Sequence, residues 1–241
     1  MKFLLFLAVS LLITDISLAM YHYNFNRRHI SSPLQDYAPY LKISFVPLMA
    51  WIWHLISPSH SKWIYLYAFF AWGGDTFLLS KSFDVYKYGG VSFFLSHVMM
   101  IIYLNIKWSK VPLKAYFLMI PGIILITIYL IPQMVNPSLQ SFCFISYALI
   151  LVIGSCNAIA RWSILKFSNP SFLCCVFGYW FYLISDSVLL KKEIVGASRN
   201  LDCEVMGTYF MAQILIFIGI AIDPLQNQQR QQQNADKEKK E

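Results

Sequence analysis

Two aspartates lie inside apolar stretches of the chain, where an ionised side chain is unexpected. Asp75 follows Gly73 and Gly74 in "AWGGDTFLLS", and Asp186 lies in "FYLISDSVLL". Intramembrane carboxyls usually face a polar partner or a wet cavity. Two carboxyls that face one cavity would share a proton near neutral pH, and such a pair is a general acid and a general base. The sequence therefore predicts proton-transfer chemistry.

Four further polar residues could join this pair, namely His97, Tyr209, Gln213 and Lys42. His97 could equally form a hydrogen bond between helices. Lys42, at the edge of an apolar run, is expected to extend to the membrane interface or to pair with a lipid phosphate. Asp15 is expected to be incidental. From spacing alone, a proton-coupled transporter or a structural polar network would use the same residues, so enzyme and non-enzyme remain equally open.

The composition indicates which elements must position these residues. Of the 241 residues, 58% are hydrophobic and only 13% are charged, whereas roughly a quarter is charged in soluble domains. The short alternating segments of a membrane β-barrel are not evident. The formal charge of +7 comes from Lys and Arg at helix ends and in the tail, which is typical of membrane flanks and not of a nucleic-acid surface.

The apolar runs predict an all-α, polytopic membrane bundle of about eight transmembrane helices, because each run is long enough to cross about 30 Å of hydrocarbon. Their expected bounds are 3–20, 41–57, 63–80, 88–105, 112–131, 140–160, 171–190 and 205–222. Pro121 and Pro132 predict a kinked or short fifth helix. Asn157 and Arg161 are expected to form a polar strip at the headgroups.

Four segments follow from this pattern. Residues 1–20 are a first membrane helix or a signal peptide, 21–40 a polar linker, 41–222 the membrane helical domain and 223–241 a disordered polar tail.

Lys and Arg are slightly more frequent on the side of the termini, which favours cytosolic termini. Because sequential helices run antiparallel, Asp75, Asp186, His97, Tyr209 and Gln213 should share the middle to non-terminal half of the bilayer.

The order of these motifs resembles the YhhN-like integral membrane proteins, which include the animal lysoplasmalogenases. The similarity lies in "FFAWGGDTFLLSKSFDVYKYGGVSFFLSHVMMIIYL", then "YWFYLISDSVLL" and "VMGTYFMAQ", preceded by the Lys-and-Pro helix "LKISFVPLMAWIW". It covers roughly residues 40–222. The spacing from Lys to Pro is looser here, and the charged loop "KKEIVGASRNLDCEVMG" is longer than in the family pattern.

The resemblance implies a hydrolase that cleaves the vinyl ether bond of lysoplasmalogens to a fatty aldehyde and glycerophosphocholine or glycerophosphoethanolamine. Asp75 and Asp186 would be the catalytic acid and base in either order. His97, Tyr209 and Gln213 would orient water or hold the shared proton, and Lys42 would contact substrate or support the carboxyls. This chemistry needs no metal and no cofactor, although two Asp and one His are a possible ligand set.

The expected partners are a lysophospholipid with a vinyl ether tail and the lipid bilayer, without nucleic acid. The oligomeric state and the headgroup preference stay open. A retained first helix without a sorting signal fits the endoplasmic reticulum. The main alternatives are a proton-coupled lipid or small-molecule transporter and a non-catalytic lipid-binding membrane protein.

Overall fold

The regular elements of the chain are helices wherever its structure is described. The computed structural model describes residues 2–27, 33–57, 60–80, 82–105, 139–161, 168–195 and 200–223, with the single residues 117, 120, 124 and 165. Within these ranges the helices are α1 (Lys2–Arg27), α2 (Ala38–Ile56), α3 (Lys62–Phe77), α4 (Phe83–Leu104), α5 (Leu139–Ala160), α6 (Pro170–Val195) and α7 (Asn200–Ala221).

The all-helical membrane class is confirmed, but the prediction of eight spans is not. Among the described residues, four helices are long and apolar enough to cross a bilayer, within α1, α4, α6 and α7. The 16 residues of α3 extend about 24 Å, less than the hydrocarbon thickness of about 30 Å. Lys42 and His54 lower the hydropathy of α2. The predicted span 112–131, with Pro121 and Pro132, and tail residues 224–241 lie outside the described residues.

Local sequence signals explain where several helices begin. Pro39 occupies the first turn of α2, where a missing backbone N–H costs nothing. Asn169 precedes Pro170 of α6, and its Oδ1 accepts hydrogen bonds from the backbone N–H groups of Ser171 (2.9 Å) and Phe172 (3.4 Å). This is the N-cap arrangement that satisfies the first free donors of a helix. The first helix is longer than the predicted span 3–20, because α1 continues beyond residue 20 as far as Arg27.

The seven helices form a closed bundle. Each of α1 to α6 packs against the next helix in the chain, and α7 packs against α2 and α1. Bulky side chains fill the interior, among them Phe45, Trp53, Tyr67, Tyr179 and Tyr182. Phe69, Trp180 and Ile184 are exposed, as expected for side chains that face lipid. The interior of this ring therefore holds a polar site away from the apolar outer surface.

Arg161 directly follows the last residue of α5, so the predicted polar strip lies at a helix end, and the side chains of Asn157 and Arg161 are both buried. Arg161 Nη2 lies 2.7 Å from Asp223 Oδ2 in a buried ion pair. The pair joins the end of α5 to the segment after α7. A sequence reading of one helix at a time cannot find this partner, since the two residues are 62 positions apart.

Candidate active site

Asp75 lies near the end of α3, and only 1% of its surface is exposed. Gly73 and Gly74, which precede it, allow α4 to approach α3 closely. A Cβ added at Gly74 would lie 2.5 Å from the ring of Phe93, and one at Gly73 would lie 2.7 Å from Ser92 Oγ. Ser92 in turn donates a hydrogen bond to the backbone carbonyl of α3 at residue 70, over 2.7 Å. The glycines therefore set the packing of the helix that carries the carboxyl.

Two side chains from other helices contact Asp75. Tyr209 of α7 donates a hydrogen bond to Asp75 Oδ2 over 2.5 Å. Lys42 of α2 lies with its Nζ 3.7 Å from Asp75 Oδ1, and 15% of the lysine side chain is exposed. An ammonium group at this distance stabilises a carboxylate. Lys42 is thus directed to the bundle interior, and not to the membrane interface as its position in the sequence suggested.

A continuous set of hydrogen bonds leads from Tyr209 into the bundle. Gln213 Nε2 donates to the Tyr209 hydroxyl over 3.1 Å, and Gln213 Oε1 accepts from the Tyr67 hydroxyl over 2.7 Å. The hydroxyls of Tyr67 and Tyr182 are 3.0 Å apart. These side chains are all buried. A polar network in which each member has a partner holds its groups in fixed positions.

Asp186, on α6, lies at the other end of this polar region and is partly buried. Its Oδ2 accepts a hydrogen bond from the Tyr147 hydroxyl of α5 over 2.6 Å. The ring of Tyr147 packs against His97, and His97 packs against Tyr182, the last member of the hydrogen-bonded set that begins at Asp75. The two carboxyls predicted to act together therefore belong to one site, and each one is held by a tyrosine hydroxyl.

His97 lies among the tyrosines that separate the two carboxyls. Its ring centroid is 4.9 Å from that of Tyr182, 5.9 Å from that of Tyr147 and 6.0 Å from that of Tyr179. The side chain is fully buried. Neither ring nitrogen has a hydrogen-bond partner within the described part of the chain. Thus the residue lies in the predicted site without a direct bond to either aspartate.

Sequence reasoning missed three tyrosines of this site, Tyr67, Tyr147 and Tyr182. A signal for them existed, because tyrosine in membrane proteins is enriched at the water interfaces, whereas these three lie within apolar helix interiors. Asp15, which was expected to be incidental, is buried and accepts a hydrogen bond from Ser44 over 2.9 Å. It joins α1 to α2 and is not part of the hydrogen-bonded set around Asp75 and Asp186.

The described residues contain no cluster of three or more His, Cys, Asp and Glu side chains that could hold a metal ion. The functional groups brought together are instead two carboxyls, one ammonium group, one amide, one imidazole and several phenolic hydroxyls. Groups of these types suit the transfer of protons and the binding of polar substrate atoms.

A model of the YhhN family matches residues 37–220. The matched segment is more than half of the 241 residues. The chain belongs to the YhhN family. The resemblance seen in the sequence is thereby confirmed for the family. Comparisons with curated proteins and with solved structures give no match.

The segment shared with the YhhN family contains every residue of the candidate site. It begins in the turn before α2 and ends in the last turn of α7, so that α1 and its Asp15 lie outside it. The arrangement in this YhhN chain places an ion-paired carboxyl and a second carboxyl in the interior of an apolar bundle. Electrostatic interactions are stronger in such an interior than in water.

Proposed function

We propose that this YhhN-family chain is a membrane hydrolase for the vinyl ether bond of lysoplasmalogens. The products would be a fatty aldehyde and glycerophosphocholine or glycerophosphoethanolamine. The observation that supports the proposal most is the pair Asp75 and Asp186, two carboxyls of one intramembrane site, each hydrogen-bonded by a tyrosine hydroxyl. The substrate is a lipid, and a site inside an apolar bundle suits its tail.

Cleavage of a vinyl ether needs one proton donor and one carboxylate. Protonation of the β-carbon converts the carbon–carbon double bond into an oxocarbenium ion. Water then adds to this cation and loses a proton, which gives a hemiacetal. Collapse of the hemiacetal breaks the bond between the former vinyl carbon and the glycerol oxygen, and a proton goes to that oxygen. The net change is the addition of one water molecule, and acid and base exchange roles as they do in glycosidases.

The surroundings of the two carboxyls support a division of roles between them. Lys42 Nζ lies 3.7 Å from Asp75 Oδ1, and its positive charge suits a carboxylate that stabilises the oxocarbenium ion and accepts the proton of water. Asp186 has no Lys or Arg partner at ion-pair distance among the described residues and receives the Tyr147 hydrogen bond. We therefore assign proton donation to Asp186. Tyr209 holds Asp75, Gln213 holds Tyr209, and His97 serves the attacking water.

The hydrogen-bonded tyrosines would also suit a proton-coupled transporter, because hydroxyls in a row can pass protons across a membrane. A transporter needs no change in the covalent structure of its substrate. Detection of a released aldehyde therefore separates the two functions directly.

The test is aldehyde release from lysoplasmenylethanolamine and lysoplasmenylcholine by the purified full-length protein in detergent. We expect activity in the wild type and a loss of about 10²-fold or more in Asp75→Asn and in Asp186→Asn. Asp84→Asn is the matched control, because Asp84 is exposed at the start of α4 and pairs only with Lys87 in the described region. It should retain full activity.

A monodisperse wild-type protein that releases no aldehyde from either substrate, from acidic to neutral pH, would reject the hydrolase. Uptake of the intact lipid into proteoliposomes along a pH gradient would then be measured. If Asp75→Asn and Asp186→Asn release aldehyde as fast as the wild type, the two aspartates are not catalytic residues.

A further inference from the structure

His97 presents two polar atoms to the interior of the bundle without a protein partner. The side chain has 0% exposure, and both Nδ1 and Nε2 are without a hydrogen bond among the described residues. The rings of Tyr147, Tyr179 and Tyr182 surround it. In either neutral tautomer, one nitrogen is a donor and the other an acceptor, so the imidazole offers one of each.

Such a side chain is costly to bury. A buried donor or acceptor without a partner costs about 1–3 kcal/mol, and folded proteins satisfy nearly all such atoms with protein groups or ordered water. Two of the three tyrosines beside His97 already form hydrogen bonds with other residues. The Tyr147 hydroxyl is hydrogen-bonded to Asp186, and the Tyr182 hydroxyl to Tyr67. The remaining neighbour is Tyr179.

The Tyr179 hydroxyl is also buried and has no hydrogen-bond partner in the described ranges. Its ring lies against Gly154 of α5, where an added Cβ would be only 2.3 Å from Tyr179 Cε1 and 2.9 Å from the hydroxyl oxygen. Gly154 therefore provides the space that this tyrosine occupies. Tyr179, Tyr182 and Asp186 follow one another at helical spacing on α6 and share one face of it.

We infer that an ordered water molecule binds beside His97, hydrogen-bonded to the imidazole and to the Tyr179 hydroxyl. One imidazole nitrogen and the Tyr179 hydroxyl are available to it, and buried waters typically make two to four hydrogen bonds. The water satisfies atoms that would otherwise be left without a partner in an apolar interior.

The position of this water gives it a role, which rests on the proposed function. His97 contacts the ring of Tyr147, and the hydroxyl of Tyr147 bonds Asp186. The water therefore lies near Tyr147, one side chain away from the carboxyl that we assign as proton donor. It replaces the molecule consumed in each hydrolysis. Tyr179 is then a positioning residue, because it acts through the water and not on the substrate.

The occupancy of the site is tested without any substrate. Protein labelled with ¹⁵N only in histidine is studied by NMR in detergent, and His97→Gln identifies the signals of His97 by their loss. We expect nitrogen shifts typical of hydrogen bonding and a cross peak between the imidazole and water. Tyr179→Phe keeps the ring but removes the hydroxyl, and should shift the His97 signals. Tyr88→Phe, at an exposed tyrosine, should not.

Signals of a non-hydrogen-bonded imidazole without a water cross peak would overturn the inference. A cross peak that Tyr179→Phe leaves unchanged would overturn the part assigned to Tyr179. In the aldehyde assay, Tyr179→Phe should lower kcat about tenfold or more and leave KM nearly constant, whereas Tyr88→Phe keeps wild-type values.

The two measurements separate the water site from the proposed function. A water cross peak in a protein that releases no aldehyde would support the water site and reject the hydrolase. Aldehyde release together with a bare His97 would support the hydrolase and reject the water site.

Discussion

The hydroxyl of Tyr209 donates a hydrogen bond to Asp75 over 2.5 Å, which joins α7 to α3 inside the bundle. Tyr209 also accepts from Gln213 over 3.1 Å, so its own proton is directed to the carboxyl. The rings of Phe45 and Phe93 flank it at centroid distances of 6.2 Å and 6.1 Å. The tyrosine thus fixes the orientation of the carboxyl that carries the proposed base function.

Replacement of Tyr209 by Phe should lower kcat about 10²-fold, because a carboxyl that has lost its orienting hydrogen bond is misplaced for reaction. The variant should also lose about 1–3 kcal/mol of stability, since Asp75 and Gln213 each lose a buried partner. Aldehyde release and the melting temperature in detergent measure the two effects. Tyr40→Phe, at an exposed tyrosine, is the control. Wild-type kcat in Tyr209→Phe would argue against a role for this hydrogen bond.

Replacement of Lys42 by Met should lower activity about 10²-fold or more, because Asp75 loses the charge that stabilises its carboxylate form. The matched control is Lys87→Met, which removes an exposed pair with Asp84. Aldehyde release is measured for both variants at several pH values. Lys42→Arg keeps the charge and should retain more activity than Lys42→Met. Equal loss in the two Lys42 variants would indicate a steric requirement and not an electrostatic one.

The sequence predicted that Asp75, Tyr209 and Gln213 lie at one level of the bundle. Helices in a bilayer run in only two directions and cross a fixed thickness, so the position of Asp75, Tyr209 or Gln213 along its helix fixes its height. The structure brings these three residues into direct contact. The sequence placed Lys42 at the membrane interface, so its position 3.7 Å from Asp75 was not predicted.

The rotation of each helix about its own axis was not predictable from the sequence. Most of the tyrosines that face the site were therefore not predictable either. Lipid tails are as apolar as a helix interface, so apolar residues occur on all faces of a membrane helix and do not reveal the inner one. Tyr67, Tyr147 and Tyr182 are three of 15 tyrosines in the chain. Only the packing of α3, α5 and α6 shows that their hydroxyls are directed to the site.

Gly74→Ala should destabilise the protein by about 1–3 kcal/mol, because the added methyl group overlaps the ring of Phe93 and separates α3 from α4. Activity should fall as well, since Asp75 is the next residue. The melting temperature and kcat are measured in detergent. The control is Gly90→Ala on α4, where an added Cβ meets no atom within 4 Å. Alanine favours a helix over glycine by about 1 kcal/mol, so Gly90→Ala should melt at or above the wild-type temperature.

A Gly74→Ala variant with the same melting temperature as Gly90→Ala would contradict the close approach of α3 and α4. A second substitution sharpens the comparison. Phe93→Leu removes the aromatic ring that the new methyl group meets, and in the Gly74→Ala background it should restore part of the lost stability. The same substitution in the wild type should only destabilise, because it removes packing without relieving any overlap.

Arg161→Met should destabilise the protein by about 3–5 kcal/mol, because it breaks a buried ion pair and removes its cation. The ion pair is 2.7 Å long. The Tyr103 hydroxyl donates to the same carboxylate oxygen over 3.3 Å, and Arg161 Nη1 lies 3.4 Å from Cys175 Sγ. These contacts join α4, α5 and α6 to the segment that follows α7. They lie at the C-terminal end of α4, whereas Asp84 lies at its N-terminal end. The melting temperature and equilibrium unfolding in detergent measure the loss.

The double variant Arg161→Met with Asp223→Leu distinguishes a cost of burial from a gain by the pair itself. Replacing both charges with apolar side chains removes the buried carboxylate together with its cation, so the double variant should be more stable than Arg161→Met alone. Its kcat per folded molecule should equal that of the wild type, because the pair takes no part in the hydrogen bonds of Asp75 or Asp186. A double variant as unstable as the sum of the two single variants would show that the two residues act independently.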